Sequence, residues 1–128
     1  MRPPIIINES KYAEIAGDLS VYCSIELAER AIEYDSAFDD HQHAYDSEGL
    51  LLKIVPNEDC RASHLEPAET TCSQRDLLIA ILRDFLGVPK ATVEAMDLES
   101  LITAAYQRAP NRYAGLKGPP PALTFTIP

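Results

Sequence analysis

Apolar positions along this chain come in short blocks set off by turn residues, and the spacing within each block predicts its secondary structure. Ile5-Ile6-Ile7, three β-branched residues after Pro3-Pro4, predict a first strand whose start is stiffened by proline. Glu9 to Ala16 predicts a short helix with Tyr12, Ile15 and Ala16 on one side, ended by Gly17-Asp18. Leu19-Ser20-Val21-Tyr22-Cys23 alternates, so a second strand is expected with Leu19, Val21 and Cys23 on one face. A helix follows from Ile25 to Tyr34, with Ser24 as its N-cap and Glu26 in the first turn, where a carboxylate suits the helix dipole. Ile25, Ala28, Ala31 and Ile32 form its inward stripe, and Glu26, Glu29, Arg30 and Glu33 show mostly acid to water.

The next block organises the chain. After a polar loop from Asp35 to His43, the arm His43-Ala44-Tyr45, the turn residues Asp46 to Gly49 and the apolar run Leu50 to Val55 before Pro56 predict a β-hairpin. Asn57-Glu58-Asp59 reads as a further turn, and Cys60 to Glu66 as a strand with Cys60, Ala62 and His64 on one face, ended by Pro67. Ser73 is the expected cap of a second helix, with Asp76 as a shortened capping box and Gly87 followed by Pro89 at its end. Leu77, Leu78, Ile79, Ile81, Leu82, Phe85 and Leu86 cover most of that helix, which marks it as the core. Thr92 to Arg108 reads as a third helical region broken near Asp97, which caps a run with Leu98, Leu101, Ile102 and Ala105 on its apolar face.

From Pro110 the glycines and the Pro119-Pro120-Pro121 run favour extended backbone, and Leu123-Thr124-Phe125-Thr126-Ile127 alternates as a terminal strand. That strand is expected at a sheet edge of its own domain, the alternative being a free arm that adds to a partner's sheet. The fold class is α+β, an antiparallel or mixed sheet of about four to six short strands packed against two or three helices. Residues 1–109 form the domain, and 110–128 a Pro/Gly-rich C-terminal segment.

Charge adds a second layer. Residues 9–48 hold 11 acidic and 2 basic side chains while the rest of the chain holds 9 of each, so the net charge of −9 resides in that stretch. Such a field repels nucleic acid and anionic membrane and speeds encounter with a basic partner. The three cysteines, Cys23, Cys60 and Cys72, are odd in number and irregular in spacing, which fits a reducing compartment and a cytoplasmic protein. No apolar stretch reaches the length of a signal-peptide core or a membrane span.

Candidate chemistry is sparse. Asp39-Asp40-His41-Gln42-His43 brings two imidazoles near carboxylates, with Cys60, His64 and Cys72 as distant additions, but matches no zinc spacing. Pairing Cys60 with His64, or Cys23 with His43, supplies a thiol and a base without a signalled orienting group or oxyanion site. General acid-base work by the adjacent pairs Asp39-Asp40 and Glu58-Asp59 needs a cleft that separates their pKa values, which adjacent residues in polar loops rarely provide, and no glycine-rich phosphate loop occurs. Arg108, Arg112 and Lys117 with Tyr106 and Tyr113 make too small a basic cluster to offset the net charge. The expectation is a protein with no catalytic residues, metal or cofactor.

Ile7-Asn8-Glu9, Gly17 to Tyr22, Ser24 to Glu29 and Tyr45 to Leu51 together resemble small acidic bacterial proteins that include immunity proteins of polymorphic toxin systems. The resemblance covers residues 5–55 and implies a non-catalytic protein that occludes the active site of a toxin domain. The acidic stretch would meet that partner through Glu26, Glu29, Glu33, Asp35, Asp39, Asp40, Asp46 and Glu48, with Tyr34, Phe38 and Tyr45 as aromatic anchors. The rings have core packing as their competing role. A structural adaptor and a small metal-dependent enzyme using His41 and His43 are the alternatives.

Overall fold

A computed structural model of the chain describes residues 1–34, 42–56, 63–68, 73–87, 91 and 94–108. Among these, five strands form one antiparallel sheet: β1 (Ile5–Glu9), β2 (Asp18–Tyr22), β3 (Gln42–Tyr45), β4 (Leu51–Pro56) and β5 (Ser63–Pro67), in the order β2-β1-β3-β4-β5. The helices are α1 (Ile25–Tyr34), α2 (Arg75–Leu86) and α3 (Leu98–Arg108). The α+β expectation holds, and the antiparallel alternative is the one realised. The segments at 57–59, 60–62 and 110–128, with the strand expected at Leu123–Ile127, lie outside the described residues.

Helices cover both faces of the sheet, which explains the unbroken Ile5-Ile6-Ile7 run: a strand buried on both sides shows no alternation. Ile5 and Ile7 join Tyr22, Ala44, Leu52 and Leu65 beneath Ala28 and Ile32 of α1. Ile6 joins Leu19, Val21 and Tyr45 beneath α2 and α3, where Leu78, Ile81, Leu82, Leu98, Leu101 and Ile102 are buried. Each such Leu or Ile contributes about 1.5–3 kcal/mol on leaving water. The α2 and α3 helices run in parallel, since Arg75 and Asp97 at their starts line one cleft and Arg108 at the end of α3 donates to the Leu86 carbonyl ending α2, at 2.6 Å. That cation also complements the α2 dipole.

The hairpin between β3 and β4 sets the register. The Gly49 amide donates to the Asp46 carbonyl at 3.1 Å, and Gly49 takes φ +88°, which only glycine adopts without strain. A Cβ there would also sit 2.5 Å from Arg75 Cα, because the Gly49 carbonyl accepts the Gln74 amide at the start of α2. Inside the turn, the Asp46 carboxylate accepts the amides of Leu50 (2.8 Å), Glu48 (2.9 Å) and Arg2 (3.1 Å).

Two local expectations are corrected. Residues 10–17 are not helical: Asn8, fully buried, donates to the Ile15 carbonyl (3.0 Å) and accepts the Gly17 amide (2.8 Å), folding the segment into a β1–β2 connection. Ser73 is not the cap of α2, which starts at Arg75 after Gln74; the Ser73 hydroxyl instead accepts the Arg75 amide, and Ser73 bridges to Leu50. At α1 and α3 the caps fall where expected, with Ser24 accepting the Leu27 amide (3.2 Å) and Asp97 the Ser100 amide (2.8 Å).

Replacing Asp46 with Ala leaves three amides without their acceptor, at about 1 kcal/mol or more each, so Asp46→Ala should lower unfolding free energy by about 3 kcal/mol. Asn at this position keeps one acceptor oxygen and should recover part of the loss. Urea midpoints of the three proteins measure this, and a near-native midpoint for Asp46→Ala would remove the turn from its organising role.

Candidate functional site

The turn carrying Asp46 and the residues ahead of β1 meet the first residues of α2 and α3 at one end of the sheet. Between them lies a cleft of about 250 Å³ bordered by Arg2, Ser47, Glu48, Arg75, Asp97 and Glu99. A neighbouring hollow of about 320 Å³ shares Arg2 and Glu48 and adds Met1, Leu50 and Ser73. The Arg2 backbone is fastened on both sides, its amide to Asp46 and its carbonyl to the Ser47 amide at 2.9 Å, while its guanidinium reaches Glu48 at 3.2 Å. That ion pair is exposed and adds little stability.

Across the cleft, the Ser100 amide and hydroxyl donate to Asp97 and hold its carboxyl below the ordinary carboxylate range, with a smaller pull from the Arg75 guanidinium. A depressed pKa means that the charged cap supports α3 above the ordinary Asp value and is lost as pH falls through the lowered one. The cleft therefore presents two guanidiniums and three carboxylates, with the Ser47 hydroxyl and the apolar Leu98, among its described residues. Such a lining can form charge pairs and hydrogen bonds with a polar surface. No known family model, curated protein or solved structure matches the chain.

The residues expected on the acidic contact face separate into different environments. Glu26 is exposed on α1, 3.4 Å from Arg30 one turn later, and Glu48 is exposed at the cleft. Two positions, Tyr45 and Asp46, are corrected. Tyr45 is 1% exposed and packs under α2 and α3, so it is a core ring and not an anchor. Asp46 is 2% exposed and directed into its own turn. Glu29 faces the outer strand β5, where it accepts the Leu65 amide at 2.8 Å and lies 3.1 Å from His64 Nδ1. Asp35, Phe38, Asp39, Asp40 and His41 lie outside the described residues, as do the side chains of Glu33 and Tyr34.

The other candidate chemistries are also placed. His43 Nε2 donates to the Ser10 carbonyl at 3.1 Å, which ties the β1–β2 connection to β3. Among the described residues no group of three or more His, Cys, Asp and Glu side chains is arranged to hold a metal ion. No helix among them is long and apolar enough to cross a membrane. Asn8, Arg2 and Arg75 carry polar contacts of the fold and were given no site role from the sequence. The available signal was Asn8 itself, a polar residue within an apolar strand, followed by Gly17, whose Cβ would strike the Glu9 carbonyl oxygen.

Cys23 is buried, and desolvation pushes its thiol above the ordinary range against a smaller opposing backbone hydrogen bond. Alkylation requires the thiolate and access, so Cys23 should react at least about 10-fold more slowly with iodoacetamide in the native than in the urea-unfolded chain. Peptide mapping distinguishes it from Cys60 and Cys72, and equal native and unfolded rates would overturn this assignment.

Proposed function

We propose that the chain is a non-catalytic binding protein of the immunity type, which neutralises a bacterial toxin domain by covering a basic functional cleft with its acidic surface. One observation carries the reading: the net charge of −9 lies in residues 9–48, while the remainder is balanced. Within that stretch Glu14, Glu26 and Glu48 are exposed. Toxins that act on nucleic acids or nucleotides need a positive cleft, and an acidic surface would reach it quickly at low salt. The odd cysteine count is consistent with action in the cytoplasm.

Capture with a tagged full-length chain from cells that express it, at low and high salt, should recover one stoichiometric partner with a basic cytotoxic domain. With the purified pair, the double charge reversal Asp39→Lys and Asp40→Lys should slow association about 10-fold at low ionic strength. The difference should vanish in about 1 M salt, where screening acts over about 3 Å. Absence of a basic partner at either salt, or association unchanged by the reversal at low salt, would refute the acidic-surface mechanism.

A further inference from the structure

The connection between β1 and β2 is pinned from several directions. Asn8 holds the Ile15 carbonyl and the Gly17 amide, His43 of β3 holds the Ser10 carbonyl, and Asp84 of α2 accepts the Ala16 amide at 3.3 Å. The Ile15 amide closes an inner turn on the Tyr12 carbonyl at 3.2 Å. These bonds fix the backbone while leaving two apolar side chains outside. Tyr12 is 51% exposed and Ile15 48%, and with the terminal Met1 they are the large exposed hydrophobics of the described residues.

A single exposed apolar side chain is ordinary, but two on one turn of a pinned loop form a small preorganised patch. Holding the backbone in advance lowers the ordering cost of binding, and tyrosine supplies large contact area with few rotatable bonds. The surroundings give the sign of the partner. Glu9, Glu14 and Asp18, within and flanking the same connection, are exposed, and the Lys11 ammonium sits 5.6 Å from the Tyr12 ring centre. An acidic rim around an apolar centre complements an apolar depression bordered by lysine and arginine.

We infer that the loop Ser10–Gly17 is the anchor of the partner interface, with Tyr12 and Ile15 inserting into an apolar depression on a protein surface whose rim is basic. This rests on the reading of the chain as a binder of a basic protein, and it locates the affinity-determining contact outside α1 and the hairpin.

The test places a photoreactive benzoylphenylalanine at position 12, and separately at position 26, in the full-length chain within cells that express it. Adducts are identified by mass spectrometry. The expected result is an adduct from position 12 with one protein having a basic surface, lost when Ile15→Asp is added. With that protein purified, Ile15→Asp and Tyr12→Ser should each weaken binding about 30-fold while melting at the wild-type temperature. An adduct from position 26 and none from position 12 overturns the loop assignment and leaves the basic-partner reading standing. An adduct between two copies of this chain through position 12 also overturns it, in favour of self-association. No adduct at either position, together with no salt-sensitive capture, overturns both.

Discussion

The Asp46 carboxylate is the constraint on which the remaining structure depends. It gathers the amide of Arg2, just ahead of β1, and those of Glu48 and Leu50 in the hairpin turn, so the N-terminal segment and the β3–β4 turn lock as one unit. Gly49 extends the unit to α2 by accepting the Gln74 amide at 2.8 Å in a space too tight for any side chain. Register follows from this. Tyr45 opposite Ile6 must face α2 and α3, and Ala44 opposite Ile7 must face α1. A one-residue slip would exchange the two faces and present a small side chain where a ring is needed.

Polar groups inside the fold work at its ends and edge. Asn8 closes the opposite end of the sheet from Asp46, holding the β1–β2 connection through both atoms of its amide. Both of these buried polar groups are satisfied, whereas the Tyr45 hydroxyl and Gln42 Oε1 of β3 are buried without a hydrogen-bond partner. Glu29 acts at the edge: by accepting the Leu65 amide it occupies one of the groups through which the outer strand β5 could pair with another chain. A carboxylate that in sequence reads as surface charge is thereby a structural ligand of the sheet.

Elements with a strong period or a local capping residue were legible in the sequence. The α1 and α3 helices, their Ser24 and Asp97 caps, and the four inward residues of α3 follow directly from spacing. The loop from Ser10 to Gly17 was not, because Tyr12, Ile15 and Ala16 imitate a helical stripe while a residue outside the segment, Asn8, decides its path. Long-range hydrogen bonding overrode local pattern there. The start of α2 was misplaced for a related reason: Ser73 is a good capping residue, but its pairing with Leu50 keeps it in bridge geometry. For the candidate contacts, sequence conveyed charge but not direction, so Glu26 and Glu29, three residues apart on one helix, looked alike although one meets solvent and the other a backbone amide.

If the chain binds a basic partner as proposed, the separation of charge from direction bears on how it would do so. A carboxylate turned inward, such as Asp46, would still contribute to the long-range field that draws a basic partner, since that field depends on net charge over distances near the Debye length. It would make no contact once such a partner arrived. Lifetime must then come from groups that are exposed, fixed and poorly hydrated, a description that fits Tyr12 and Ile15 better than a solvated glutamate. Arrival rate and residence time would thus be assigned to different residues, the first sensitive to salt and spread over many carboxylates, the second insensitive to salt and concentrated in two side chains. A partner that had lost its basic rim but kept its apolar depression would bind slowly and leave slowly, whereas one with the rim alone would arrive quickly and not stay.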